Sequence, residues 1–211
     1  MSDTATRQAE LVVRTIAQTA VDNETYFCEL DAVVGDGDFG YSMARGFEVV
    51  LADWDGIDRT DIATFLKKVA LTITGRIGGT SGPIWGTMFL RAATTVGDKS
   101  EVDGDTLVAA LRAAAEGVKA RGKAELGDKT LLDALVPATD ALEEALRSGS
   151  ADPAQAFATT AREKADATKT MLARRGRASY TGERSIGSVD AGATAVAVMA
   201  EQIAAGWADR R

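Results

Sequence analysis

The sequence predicts an all-α fold forming a single domain over residues 1–211. Apolar residues recur at steps of three and four nearly everywhere, and no stretch sustains the period-two alternation of a half-buried strand. The 21 glycines gather at 35–46, 75–86, 117–127 and 176–192, at joints between the periodic segments. Eight or nine helical segments follow from this pattern. The first three lie near 5–21, 23–34 and 41–53. A fourth, near 60–75, carries Ile62, Phe65, Leu66, Val69 and Ile73 on one stripe. A fifth is read over 83–96, with Pro83 in its first helical position, where no N–H is needed. Leu107, Leu111, Ala114 and Val118 mark a sixth over 105–121, and Leu132, Leu135, Leu142 and Leu146 a seventh over 130–148. Asp152-Pro153-Ala154-Gln155 is a helix start, with Asp as cap and Gln completing a capping box. The alanine-rich helix behind it is read over 153–174, through Phe157, Ala161, Ala165, Thr168 and Leu172. Val196, Met199, Ile203 and Trp207 define the last, over 191–207.

Composition narrows the function classes. A net charge of −7 disfavours a nucleic-acid surface, which needs clustered positive charge. No apolar run approaches the ~20 residues that cross a bilayer, and MSDTATRQAE has no signal-peptide pattern. A lone Cys28 cannot close an internal disulfide and is read as a packing residue, so a cytoplasmic location is expected. There is no histidine, which excludes histidine-ligated zinc, Ser-His-Asp catalysis and histidine phosphotransfer on this chain. Chemistry here must run through carboxylates, backbone amides, Lys, Arg, Ser and Thr.

Asp31, Asp36 and Asp38 stand within eight residues, the last two on a glycine-rich turn. Three carboxylates so close repel one another unless a cation lies between them. An oxygen-only donor set suits a hard ion, Mg²⁺ or Ca²⁺. An EF-hand is a poor match, because Tyr41 and Phe47 occupy the positions where that loop needs Gly and Glu. Taken alone, the segment also fits a solvated acidic turn. Gly78-Gly79-Thr80-Ser81-Gly82-Pro83 leads into a helix, a site suited to anions but equally to a tight turn; no Gly-Lys-Ser/Thr follows to make a Walker A loop. Arg121, Lys123 and Lys129 flank a third joint and are expected either to offset phosphate charge or to sit on an exposed connector. The stretch from Gly176 to Thr194 is long for a structureless loop and is read as a lid or clamp, with Arg177 as its phosphate- or base-contacting residue.

Together these segments resemble the nucleotide-binding L subunit of dihydroxyacetone kinases. Gly35-Asp36-Gly37-Asp38 with Met43-Ala44-Arg45-Gly46-Phe47 looks like that family's metal loop and following helix. Gly79-Thr80-Ser81-Gly82-Pro83, Gly127-Asp128-Lys129-Thr130 and the Gly176 to Gly187 stretch look like its other signatures, in the same order. The resemblance implies an antiparallel barrel of about eight helices with ATP or ADP and two Mg²⁺ ions at one end. It implies metal binding by Asp31, Asp36 and Asp38, and nucleotide contacts from Phe39, Gly40, Tyr41, Ser42, Thr80, Ser81, Gly122, Leu131, Arg177, Asp190, Ala191 and Gly192. The implied activity is phosphoryl transfer to dihydroxyacetone or a similar ketose held by a histidine on a separate K subunit, so the missing histidines fit the L role. Direct use of ATP, recharging of held ADP by a phosphotransferase-system protein, and a non-catalytic nucleotide sensor are the variants it allows; a domain of the fatty acid kinase type fits less well. Phe39, Ser42 and Ala191 depart from residues frequent in relatives. Phe39 has no donor for phosphate or base and is expected to stack or close the pocket.

Overall fold

A computed structural model describes residues 4–99 and 101–208; Ser100 and the outermost ends of the expected 1–211 domain lie outside the described residues. The helices are α1 (Thr4–Asp22), α2 (Glu24–Ala32), α3 (Phe39–Ala52), α4 (Ile62–Arg76), α5 (Ser81–Val96), α6 (Gly104–Gly122), α7 (Leu132–Arg147), α8 (Pro153–Ala167) and α9 (Ala191–Ala208). The described residues contain no strand. Aspartates start several helices, as the local chemistry demands. Asp61, Asp103 and Asp152 accept the N–H groups of Thr64, Thr106 and Gln155 at 2.7, 2.8 and 3.1 Å. Each such cap contributes about 1 kcal/mol. Gln155 turns its own amide to Thr159 Oγ1, 3.1 Å away.

Packing follows chain order. From α3 to α9 each helix lies on the next, α1 lies on α3 and α9, and the order of contacts closes on itself. The main apolar core has Phe27, Phe47, Phe65, Ile73, Leu132 and Met199 among its residues, and a smaller cluster gathers Ala5, Ile62, Val96 and Ala110. The main core buries Phe65, Val69, Ile73, Val118, Leu132, Leu135 and Met199 of the apolar stripes read from the sequence, whereas Leu107, Leu146 and Leu172 of those stripes stay exposed.

Four expectations need correction. The helix expected over 153–174 ends at Ala167. Thr168 is fully buried there, its hydroxyl donating to Ala165 O and accepting the Asp190 N–H at 2.8 Å, so the chain turns inward to meet the start of α9. The long stretch after it is not structureless: Thr168–Thr170 and Arg177–Ser185 form 3-10 turns, the second broken at Gly182 with φ +59°. The helix after Gly78-Gly79 begins at Ser81, so Pro83 is its third residue, where a missing N–H still removes no intrahelical bond. Finally, some clustered glycines lie inside helices. A Cβ on Gly86 would stand 3.1 Å from Ala70 O and run into the Thr74 side chain, so this glycine lets α5 settle on α4.

A candidate metal and nucleotide site

Asp31 lies in the last turn of α2, Asp36 in the turn that follows, and Asp38 at the N-cap of α3. One carboxylate oxygen from each lies within 4.8 Å of the other two. The turn is built to allow this. Gly37, with φ +75°, donates its N–H to Asp31 Oδ2 at 2.9 Å, and a side chain on Gly35 would meet Asp31 Cγ at 2.8 Å. Burial and the neighbouring Asp36 push the Asp38 carboxyl above its ordinary value, against the pull of Arg177. A negative cluster with oxygen donors only fits a hard divalent cation.

The close crossing of α2 and α3 fixes the cluster. A Cβ on Gly40 would collide with Glu24 O and stand 2.6 Å from Cys28 N. Cys28 does more than pack: its Sγ accepts the Tyr41 N–H at 3.2 Å. Arg45 reaches from α3 to Glu24 at 2.7 Å and lies over the Tyr41 ring, 5.2 Å from its centroid. This clamp between Glu24 and Arg45 carried no spacing signal in the sequence. Phe39 rests its ring against Phe27 of the core, centroids 6.0 Å apart. Because α3 begins at Phe39, residues 39–42 form its first turn, the positive end of the helix dipole beside the carboxylates.

The other expected residues meet in pairs through short approaches. Ser42 Oγ stands 3.5 Å from the Cβ position of Gly78, just before Thr80 and Ser81 at the start of α5. Gly122, at the end of α6, faces Ile84 of α5 at 3.8 Å. Gly192 faces the Cβ of buried Leu131 at 3.3 Å; its neighbour Ala191 opens α9. Arg177 meets the aspartates, its guanidinium pairing with Asp36 and standing 3.9 Å from Asp38. Two separate approaches are thus seen, Gly122 against α5 and Leu131 against the start of α9.

Asp190 caps α9, accepting the Ala193 N–H at 2.7 Å. Burial pushes its carboxyl up to about 7; Asp133 adds to the rise, while the Ala193 N–H and Lys129 oppose it. The folded chain therefore holds this proton to a higher pH than the unfolded chain does, and stability is lost as pH climbs from 3.8 towards 7. Compared with Asp190→Asn, the wild-type protein is expected to lose stability over that window, by at most about 1.4 kcal/mol per pH unit. Urea unfolding of both proteins at pH 5 and pH 8 measures the difference.

Lys129 departs from the expectation for the basic joint. It is 2% exposed and points inward, donating to Met171 O at 3.3 Å, Ser188 O at 2.7 Å and Ser185 O. Arg121 and Lys123 remain exposed. Asp133, which the sequence reading passed over, accepts the N–H groups of Gly127 and Thr130 at 2.5 and 2.7 Å. Its signal was present: Thr130-Leu131-Leu132-Asp133 has the spacing of a capping box.

Residues 33–205 match the model of the DAK2 domain. The chain belongs to the DAK2-domain family. Its DAK2 relatives include the ADP-binding subunit DhaL of the PEP-dependent dihydroxyacetone kinase of Escherichia coli, 41% identical over 85% of this chain and 86% of that protein. The L-erythrulose 1-kinase of Mycolicibacterium smegmatis is 36% identical over 92% of the chain, which spans only 34% of that enzyme. Among solved structures, the dihydroxyacetone kinase of C. freundii in complex with AMP-PNP and Mg²⁺ superposes with a TM-score of 0.72 at 26% identity. The match covers 96% of this DAK2 chain and 33% of that kinase.

Proposed function

We propose that this chain is the magnesium–nucleotide subunit of a dihydroxyacetone-type kinase, passing a phosphoryl group to dihydroxyacetone or a similar small ketose on a separate K subunit. The observation that carries this reading is the group of three aspartates at the start of α3, with Arg177 reaching across to it. Asp31, Asp36 and Asp38 are assigned as the metal ligands, for two Mg²⁺ ions. Phe39, Gly40, Tyr41 and Ser42, through the first turn of α3, and Thr80 and Ser81, at the start of α5, are assigned to the phosphates of ATP or ADP. Gly122, Leu131, Asp190, Ala191 and Gly192 are assigned to the rest of the nucleotide, and Arg177 to the transferred group. Magnesium, when bound, supplies positive charge to offset the charge developing on that group. The protein's part is positioning: carboxylates held by Gly37 and the α2–α3 clamp, amides aimed along a helix axis, and an arginine brought over from another segment. With no histidine on the chain, holding the ketose falls to the partner.

The main core, to which all nine described helices contribute, supports one domain of this type over residues 1–211. No described helix is long and apolar enough to cross a membrane. Together with the lone Cys28, this supports a cytoplasmic location. The relatives matched over most of their own length are subunits named for ADP binding and for PEP or phosphotransferase-system dependence, which favours a held ADP recharged by such a donor. Nucleotide released from freshly purified, denatured protein identifies the mode. ADP that survives dialysis supports recharging, and an exchangeable site supports direct use of ATP. Reconstitution with a K subunit, dihydroxyacetone and either donor is expected to give phosphorylated ketose only when this chain is present. Nucleotide binding without transfer to any ketose would leave a sensor and overturn the kinase reading.

A further inference from the structure

The backbone at Lys129 is left-handed, with φ +62°. Residues with a side chain seldom adopt this conformation, and glycine would do so freely, as Gly127 does two positions earlier with φ +89°. Lys123 shares this backbone, with φ +50°, yet stays exposed; what sets Lys129 apart is where its side chain goes. That side chain is almost wholly buried and its ammonium donates to three carbonyls of one segment, those of Met171, Ser185 and Ser188. An ammonium has three donors and no acceptor, so this arrangement uses it fully. Burial lowers its pKa from the ordinary lysine value, and nearby Asp190 works against that fall.

A second tie runs alongside. Arg175 Nε donates to Asp128 Oδ2 at 2.9 Å, and the Arg174 N–H donates to Asp128 O at 3.0 Å. Burial pushes the Asp128 carboxyl up, but the Glu125 N–H and Arg175 outweigh it and leave it below the usual carboxylate range. Between these ties, buried Ser185 accepts the Ala173 N–H at 2.9 Å and donates to Gly182 O at 2.7 Å, folding residues 173–185 into a closed loop. Arg177 sits on that loop, two residues beyond Arg175, and its exposed guanidinium is the group that reaches Asp36.

We propose that Lys129, with the Asp128–Arg175 pair, is a positioning device: it fixes residues 171–188 so that Arg177 is presented to the metal carboxylates. Lys129 gives its donors to backbone carbonyls and acts through Arg177. The proposal rests on the magnesium–nucleotide reading of Asp31, Asp36 and Asp38, but half of its test does not.

Amide exchange of the full chain, followed by mass spectrometry without nucleotide, tests the device alone. In Lys129→Met, exchange across 171–188 is expected to rise by at least about tenfold while α4 to α6 keep their protection. Lys129→Arg should restore part of it. Unchanged exchange at 171–188, or a uniform rise through all helices, overturns the proposal. Calorimetric titration with Mg²⁺ and ADP tests the link to Arg177. Arg177→Gln is expected to weaken binding in the wild-type background and to add less than about twofold in Lys129→Met, because the two act in series. Equal effects in both backgrounds overturn it. If Lys129→Met does not fold, Arg175→Gln, whose side chain is 44% exposed, carries both arms with smaller effects of the same pattern. A wild-type protein that binds no Mg²⁺–ADP would defeat the nucleotide reading, and the exchange arm would still decide whether Lys129 holds the loop.

Discussion

Replacing Asp36 with asparagine is expected to abolish magnesium-dependent nucleotide binding while leaving the fold intact. A magnesium ion takes few protein carboxylates and completes its shell with phosphate oxygens and water, so each carboxylate carries a large share of the protein's hold on it. Changes to groups merely supporting a metal ligand commonly cost ~10–100-fold in affinity, so loss of a ligand itself should cost at least about a hundredfold. The cost to the apoprotein is small. Asp36 is exposed, its pairing with Arg177 is at the surface, and removing it relieves repulsion with Asp31 and Asp38. Exposed ion pairs are worth about 0–1 kcal/mol, and the two changes oppose each other. Titration with Mg²⁺ and ADP, beside circular dichroism and urea unfolding in EDTA, separates these quantities. Tight magnesium-dependent binding by the variant would remove Asp36 from the metal site.

Gly40→Ala is expected to damage the same site without touching a ligand. The new methyl would meet Glu24 O and Cys28 N, both backbone atoms of α2, so no side chain can rotate away to make room. Overpacking of this kind costs about 1–3 kcal/mol, and a backbone-on-backbone clash belongs at the upper end. The helices must separate, and the clamp between Arg45 and Glu24 must stretch with them. Asp31 rides on α2 and Asp38 on the start of α3, so separation pulls the carboxylates apart. Metal affinity should fall with all three aspartates present. Gly75→Ala is the control: it lies in α4 with nothing within 4 Å of its Cβ position, and alanine there should be neutral or stabilising by about 0.4–1 kcal/mol. Equal metal affinity in Gly40→Ala and wild type would show that the crossing does not set the site.

Much of this was legible in the amino-acid order, for a physical reason. Helical periodicity is written locally, so the stripe from Ile62 to Ile73 announces both the helix and its buried face. The aspartates were legible because three like charges in one turn demand an explanation. What local pattern cannot carry is the direction a side chain takes once distant segments meet. Lys129 reads as a surface cation beside Lys123, yet one is buried against carbonyls up to 59 positions away and the other stays in water. The end of α8 was misplaced for the same reason. The alanine-rich pattern continues past Ala167, but Thr168 is claimed by Asp190 from 22 positions on, and tertiary contact overrode propensity. Glycine clusters blended two signals, turns at Gly37 and close helix crossings at Gly86.

The order of packing, each helix from α3 onward on the next until α9 returns to α1, has a bearing on how the chain reaches this state. Contacts between neighbours in sequence close short loops and form early, which favours rapid folding. As synthesis proceeds from the N-terminus, the aspartates and the starts of α3 and α5 emerge in the first half of the chain. Gly192 and the Asp190 cap emerge after α1 to α8, and α9 docks on α1 only then. A nascent chain can therefore pack most of its helices before α9 returns to α1, and closing that circuit of contacts becomes a late event in its maturation.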